Sequence, residues 1–149
     1  IKGVGVLRVD QESIVYGCIK DASFFELDST RRKINRQAML NLPKADGWPF
    51  LCQEMFAIPR VEVDQANYQT EVMHFGASYK AVEYEWEQWI HKFEELLSGM
   101  YWVSATVHLE TELSGTHTFV WDSKGDAHMP GSGDMQVRCE WSHEGALSL

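Results

Sequence analysis

Residues 78–97 read SYKAVEYEWEQWIHKFEELL, and this stretch holds the clearest periodic pattern in the chain. Its apolar residues recur at the three- and four-residue spacing of an α-helix: Val82, Trp86, Trp89, Ile90, Phe93, Leu96 and Leu97. Such a stripe predicts a helix that buries one side. Glutamates and His91 occupy the other side, and Gly99 is placed to cap the C-terminus. We therefore predict one long amphipathic helix over residues 78–97.

A β-hairpin is predicted directly after this helix. Apolar and polar residues alternate over residues 101–112, which is typical of an antiparallel strand with one buried face and places Trp102 on the outward side. Gly115 favours a three-residue loop, residues 113–115, because this position suits left-handed backbone geometry. With this loop, three residues of the returning strand face residues 111, 109 and 107, respectively: His117, Phe119 and Trp121. A two-residue turn at 114–115 is the alternative, and it would pair Phe119 with Glu110.

The rest of the chain adds strands and a second, shorter helix. Strands are predicted over residues 4–9, 13–19, 24–27 and 68–75, and a helix over Thr30–Leu40. A final strand begins at Met135, and Cys139 falls in its apolar register, as a buried, inert cysteine would. We predict a single α+β domain over residues 1–149: a single antiparallel β-sheet with one long amphipathic helix packed on one face.

The two halves of the chain differ in charge. From residue 76 onward, 12 acidic residues face 4 basic ones, whereas residues 1–75 hold 10 acidic and 9 basic residues. An acidic surface on a folded domain repels nucleic acid and anionic membranes and attracts basic proteins. We therefore expect a basic protein partner, no nucleic acid and no membrane.

Composition and motifs favour a cytoplasmic protein without a cofactor. The chain has 3 scattered cysteines and no Cys-x-x-Cys pair, which is typical of a reducing compartment. It has no run of 18 apolar residues that could span a membrane. A phosphate-binding loop, a dinucleotide fingerprint and a nucleophile elbow are also absent from the sequence.

A metal site is one hypothesis for the hairpin, where His108, Glu110, Glu112 and His117 lie close in sequence. Alternate residues of a strand share a face, so imidazole and carboxylates could converge on one ion. The favoured register turns His117 to the apolar face, away from the other three. We therefore predict no metal site.

Catalytic interpretations are weaker. Glu87 and His91 stand four residues apart on the predicted helix, and such a pair could transfer protons in a closed cleft. They lie opposite the apolar stripe, however, which places them in solvent. Cys139 and His143 are too far apart along one strand to form a nucleophile pair.

Arg31, Arg32, Lys33 and Arg36 form the one basic cluster. It is short, and the net charge of −9 is wrong for a nucleic-acid site. Two interpretations remain for this cluster. Its side chains are exposed to solvent, or they form ion pairs with the acidic half of the same chain or of a second copy in a dimer.

The order of elements in the C-terminal half resembles a known family. A helix rich in Glu and Trp leads into ATVHLET at residues 105–111, then Gly115, the aromatic strand TFVWD at 118–122, and a closing strand that ends in Trp141. This order is similar to the YezG-like family of bacterial toxin-immunity proteins. The resemblance covers residues 84–141 and implies a small, acidic, cytosolic α+β protein that neutralises a nuclease toxin. The N-terminus departs from the family, which has a helix where strands are predicted here.

These observations favour a non-enzymatic, acidic protein-binding module, an immunity protein or inhibitor of a basic, nuclease-type partner. The predicted contacts lie on the helix, on the hairpin and at one aromatic anchor: Glu83, Glu87 and Glu94; Glu110 and Glu112; and Trp102. The helix and hairpin sets are expected on opposite sides of the layers, so that only one of them binds. The first alternative is a ligand-binding or enzymatic pocket between sheet and helix near His117. The second is a structural or phage-derived assembly protein.

Overall fold

The computed structural model describes residues 11–21, 30–58, 71–123, 125, 127–133 and 135–142. They form an α+β fold in which five antiparallel strands make one sheet in the order β2-β1-β3-β4-β5. The elements in chain order are β1 (Glu12–Asp21), α1 (Thr30–Leu40), β2 (Glu71–Lys80), α2 (Trp86–Ser98), β3 (Ser104–Thr111), β4 (Gly115–Ser123) and β5 (Met135–Ser142). The predicted α+β class and antiparallel sheet are confirmed.

Several predicted elements have their predicted positions. α1 has the predicted bounds, β1 extends the predicted strand 13–19 at both ends, and β5 begins at the predicted residue. The predicted strand 68–75 is found as β2, shifted toward the C-terminus. The predicted strands at 4–9 and 24–27 lie outside the described residues.

β2 continues through residues predicted to begin the long helix. Residues 78, 79 and 80 pair with residues 14, 13 and 12 of β1. Tyr79 is buried, and its hydroxyl donates a hydrogen bond to the carbonyl oxygen of Phe50 at 2.8 Å. Pairing with β1 therefore overrides the helical periodicity of these residues, as tertiary context often overrides local preference.

The chain passes from β2 to α2 through Ala81 and a 3₁₀ turn, Val82–Glu85. Ala81 has a left-handed φ of 53°, and its N–H donates to the carbonyl oxygen of Gln11 at 2.8 Å. The N–H of Val82 donates to the buried hydroxyl of Ser13 at 3.0 Å. Because the α-helix begins only at Trp86, one long helix over residues 78–97 is not confirmed.

α2 buries the predicted apolar stripe against one face of the sheet. Its buried side chains are Trp89, Phe93, Leu96 and Leu97. Trp86 and Ile90 pack at the edge of this core. The ring of Phe93 lies 5.1 Å from that of Trp121 in β4 and 5.3 Å from that of Phe75 in β2. The helix therefore crosses the sheet from β2 to β4.

Trp102 is buried, so the prediction that it faces outward is wrong. The residue is 0% exposed, and its indole N–H donates to the carbonyl oxygen of Leu97 at 2.9 Å. Its ring stacks on that of His128, with centroids 4.7 Å apart. Trp102 precedes β3, which starts at residue 104, and the two-residue alternation of the strand does not extend to it.

The hairpin between β3 and β4 has a three-residue loop that starts one residue earlier than predicted. Thr111 pairs with Gly115, so the loop is residues 112–114 instead of 113–115. The N–H of Ser114 donates to Oγ1 of Thr111 at 2.8 Å, which fixes the start of the loop. Gly115 has a φ of 81°, a conformation that glycine adopts without steric cost.

The earlier loop shifts each predicted cross-strand pair by two residues. His117, Phe119 and Trp121 lie opposite residues 109, 107 and 105, respectively. Because a shift of two residues preserves the face of a strand, all three still point to the side of the sheet that α2 covers. The predicted side of the sheet is therefore confirmed for these three residues, whereas their predicted cross-strand partners are wrong.

β5 forms an edge of the sheet, and the expectation that Cys139 is buried there is wrong. Among the described strands, β5 pairs only with β4. Val137 is 49% exposed, and Cys139 is also exposed. Alternation shows which residues share a face, but it does not show whether a second layer covers that face.

Candidate partner-binding surface

The six residues predicted to bind a partner do not form one surface. Glu83, Glu87 and Glu94 belong to α2 or to the 3₁₀ turn before it. The other three lie in the core, on the opposite face of the sheet and in the hairpin loop: Trp102, Glu110 and Glu112. Two members of the helix group reach β4, the strand next to β5: Glu94 accepts a hydrogen bond from Trp121, and Glu83 lies beside His117.

One side of α2 lies over β4. Trp86 and Glu94 both reach side chains of this strand. The ring of Trp86 is 5.3 Å from that of Phe119, and the indole N–H of Trp121 donates to Oε2 of Glu94 at 2.8 Å. Glu87 precedes Glu94 by seven residues, so it lies on the same side, where it is exposed.

Glu83 lies beside His117 of β4, which is half-buried. The Nε2 atom of His117 is 2.9 Å from Oγ of Ser114. Burial lowers the pKa of His117 below its usual value of 6.5, and the negative charge of Glu83 opposes this shift only in part. The imidazole is therefore neutral at pH 7 and does not balance the charge of Glu83.

Glu83 and Trp86 each present an unsatisfied polar atom. Oε1 of Glu83 and Nε1 of Trp86 are buried, and neither has a hydrogen-bond partner among the described residues. Buried polar atoms in folded proteins are nearly always paired. One acceptor and one donor on adjacent turns are therefore left unpaired beneath this surface.

The inward face of β5 continues this surface. Cys139 and Val137 lie directly opposite Phe119 and Trp121 of β4, and opposite residues of an antiparallel pair share a face. α2 lies over β4 and leaves this strip of β5 uncovered. We name the combined surface the α2–β5 shelf, defined by Glu83, Trp86, Glu87, Phe119, Val137 and Cys139.

The thiol of Cys139 is not activated. Partial burial raises its pKa, and the negative charge of Glu140 adds to that effect. A nucleophilic cysteine needs the opposite shift, because the thiolate is the reactive form. Cys139 therefore contributes contact area to the shelf.

The hairpin carboxylates lie away from the shelf. Glu110 is on the outer face of the sheet, between Ile14 of β1 and Thr116 of β4. His108 shares that face, and its Nδ1 is 2.9 Å from Oγ1 of Thr118. His117 lies on the inner face, so the sheet separates the two imidazoles. Across the described ranges, no group of three His, Cys, Asp or Glu side chains is arranged to hold a metal ion.

Glu87 and His91 are in solvent, as predicted. The side chain of His91 is 76% exposed, and its Nε2 is 3.1 Å from Oε1 of Glu95. Glu87 is also exposed. An exposed pair lacks the desolvation that proton transfer in a cleft requires.

Two members of the basic cluster bind acidic residues of the N-terminal half. Arg31 forms a bidentate ion pair with the buried Asp21, and its guanidinium lies 4.7 Å from the ring centroid of Tyr101. Arg32 lies 3.5 Å from Glu71, whose pKa is raised by burial despite the opposing charge of Arg32. Both carboxylates precede residue 76, so these two ion pairs lie within the N-terminal half of the chain.

Sequence patterns gave no sign of one further feature, a cavity of about 600 Å³ between α1 and α2. Ile34, Ala38 and Leu42 follow one another at the four-residue spacing of a helix face, and they line this cavity. α1 instead buries Asn35 and Met39, and the amide of Asn35 bonds to both backbone polar groups of Tyr101. His117 does not line the cavity.

Neither helix among the described residues has the length and apolar character needed to cross a membrane. Comparison of the chain with models of protein families, with curated proteins and with solved structures finds no match in any of the three.

Proposed function

We propose that this chain is a non-enzymatic binding module that docks a basic protein partner on the α2–β5 shelf. The observation that carries the proposal is a group of carboxylates at the shelf: Glu83 and Glu87 belong to it, and Glu94 lies beside it. The one lysine of α2, Lys92, is bound to Asp46 at 2.8 Å and lines the cavity between the two helices instead. Negative charge therefore predominates along this side of α2.

This charge supports fast recognition of a cationic partner. Complementary potentials raise the rate of encounter and disfavour partners of the same sign. Glu87 is exposed, and Glu83 has one oxygen without a partner among the described residues. A Lys or Arg side chain of the partner would pair with the exposed carboxylate of Glu87 and offset the negative charge of Glu83.

The apolar part of the shelf supports the stability of the complex. Phe119, Val137 and Cys139 form a strip beside the indole of Trp86. Desolvated aromatic and apolar contacts supply most of the binding energy at protein interfaces, whereas charges at the rim supply mainly rate and specificity. A partner that combines basic and apolar side chains fits both parts.

The resemblance of residues 84–141 to the YezG-like family favours a narrower proposal, an immunity protein that neutralises a nuclease toxin in the cytoplasm. A nuclease presents a cationic surface to the phosphate backbone of its substrate. An acidic shelf would compete for that surface. The three cysteines, all free, are compatible with a reducing compartment.

The proposal is tested by selecting short random peptides, displayed on phage, against the immobilised full chain. We expect enrichment of Lys and Arg interspersed with apolar residues. The affinity of selected peptides should fall about tenfold for the shelf pair Glu83→Gln/Glu87→Gln. The control is the double variant Glu110→Gln/Glu112→Gln, which changes the net charge by the same amount as the shelf variant. It should still bind the selected peptides. Selected peptides without basic residues, or an equal loss in both variants, would contradict the proposal.

A further inference from the structure

The cavity between α1 and α2 has the size of a small-molecule site. Its volume of about 600 Å³ lies within the range of about 300–1,000 Å³ that is typical of ligand pockets. Its apolar lining consists of Ile34, Ala38, Leu42, Leu51 and Leu96. An aliphatic body could therefore replace water in this space with a favourable hydrophobic contribution.

The one cation among the described lining residues, Lys92, is already bound. Nζ of Lys92 donates to Oδ2 of Asp46 at 2.8 Å and to the carbonyl oxygens of Gly47 and Pro49 at 3.1 and 2.8 Å. These three bonds use all N–H groups of the ammonium. Burial acts to raise the pKa of Asp46, but Lys92 and neighbouring backbone N–H groups outweigh it and hold the pKa below its usual value. The pair is therefore ionised and neutral overall.

Glu95 is the other charged residue that the described part of the chain contributes to the lining. Its carboxylate contacts the imidazole of His91 at 3.1 Å, and its side chain is 71% exposed at the rim of the cavity. A ligand group at the rim would therefore meet a carboxylate that no permanent cation contacts within the described parts of the chain.

Both helices also end at the cavity. Asn41 and Leu42 follow the last residue of α1, Gly99 follows the last residue of α2, and all three line the space. The C-terminus of a helix carries a partial negative charge that basic side chains often offset. Neither helix has a basic residue in its last turn.

From these features we infer that the cavity is a second binding site, for a small organic cation that carries an amine or guanidinium on an apolar body. An anion is disfavoured because the donors of Lys92 are used and Glu95 stands at the rim. None of the residues that define the α2–β5 shelf is among the described residues that line the cavity. The inference is therefore independent of the proposed protein partner.

Three compounds with one apolar body and different charge test the inference: 1-aminoadamantane, 1-adamantanol and adamantane-1-carboxylate. Each is titrated into the full chain, and binding is followed by amide chemical shifts. We expect the amine to bind about fivefold more tightly than the alcohol, and the carboxylate most weakly. The largest shifts should fall at Ala38, Leu96 and Gly99.

Variants separate the contributions of shape and charge. Ala38→Phe fills the cavity and should abolish binding of all three compounds, with circular dichroism as the check on folding. Glu95→Gln should bring the affinities of amine and alcohol close together without weakening the alcohol. Glu54→Gln makes the same charge change at an exposed residue that does not line the cavity, and it should have no effect.

Equal affinity for the amine and the carboxylate would overturn the assignment of a cationic ligand. Shifts elsewhere on the chain, or binding that survives in a folded Ala38→Phe variant, would overturn the site itself. Either result leaves the peptide selection on the shelf unaffected, because the shelf variants do not touch the cavity.

Discussion

Trp121 of β4 donates its indole N–H to Oε2 of Glu94 in α2 at 2.8 Å. Trp121 is 0% exposed, whereas Glu94 is half-buried at the edge of the helix. A carboxylate on the polar side of an amphipathic helix thus satisfies a buried donor in the sheet. Glu94 is therefore first a structural residue, and the charge it adds to the surface beside the shelf is secondary.

We expect Glu94→Ala to lower the free energy of unfolding by about 1–3 kcal/mol, because it leaves the indole N–H of Trp121 buried without an acceptor. Glu94→Gln should cost less, since its amide oxygen can accept the same bond. Urea denaturation of the three proteins measures the difference. Glu87→Ala is the control, and an effect of Glu94→Ala as small as this control would contradict the role of the bond.

Phe93 and Glu83 should respond to truncation in opposite ways. Phe93 is 0% exposed. We therefore expect Phe93→Ala to lower the free energy of unfolding by about 3–5 kcal/mol, because contacts are lost and a cavity is left behind. Glu83→Ala should be neutral or stabilising, because it removes a buried oxygen that has no partner among the described residues. Chemical denaturation checks both. A large loss of stability in Glu83→Ala would show that this carboxylate is needed by the fold.

Gly17 of β1 should not tolerate a side chain. A Cβ atom there would lie 1.9 Å from the carbonyl oxygen of Thr106 and 3.0 Å from the ring of Phe75. We expect Gly17→Ala to lower the free energy of unfolding by about 3 kcal/mol, because β1 and β3 must move apart to make room for the methyl group. Gly76→Ala is the matched control, because the nearest atom to its Cβ would be 3.4 Å away. Similar melting temperatures for the two variants would argue against this close packing of β1 on β3.

Local sequence patterns predicted those helices and strands in which the buried side chains recur at the helical or strand period. Residues 105, 107 and 109 of β3 alternate in burial as expected, and α2 buries the predicted stripe. For Tyr79 and Trp102, the local pattern does not predict the observed position. Tyr79 sits within a helical pattern but pairs with β1, and Trp102 follows an alternating pattern but precedes the strand. Their positions depend on partners distant in sequence, which local periodicity does not contain.

The candidate site was predicted in part. Glu87 and Glu94 share a side of α2, as their seven-residue spacing indicates, and Glu83 lies in the 3₁₀ turn before it. The sequence did not show that β5 extends beyond the helix and leaves a strip uncovered. The cavity between α1 and α2 was not predicted, because it depends on how two helices and residues 42–51 pack. Helical periodicity marks the apolar side of α1 without showing whether another element fills the space against it.

We expect no rise in melting temperature with excess Zn²⁺. His108 and His117 lie on opposite faces of the sheet, and Glu110 shares only the outer face with His108. One imidazole with one carboxylate is a poor set of ligands for zinc, which usually takes four. Differential scanning fluorimetry with and without Zn²⁺ measures the effect. A Zn²⁺-dependent rise that disappears in His117→Ala would overturn both the observed register and the non-enzymatic proposal.

His117 should make stability depend on pH near neutrality. Burial holds its pKa in the folded state below the usual 6.5, with Glu83 opposing the shift in part. The unfolded chain therefore binds a proton at a higher pH than the folded chain does. Stability rises with pH wherever the unfolded state binds more protons, so the contribution of His117 is complete above about pH 7 and declines as the pH falls toward about 5.

We expect the free energy of unfolding of the wild type to fall more steeply than that of His117→Gln between about pH 7 and 5. Other titrating groups affect both proteins, so the difference between their slopes isolates His117. Glu83→Gln removes the charge that favours the imidazolium, and it should steepen the fall relative to the wild type. Urea denaturation at a series of pH values measures all three. Parallel curves for wild type and His117→Gln would show that the environment of His117 in the fold does not shift its titration.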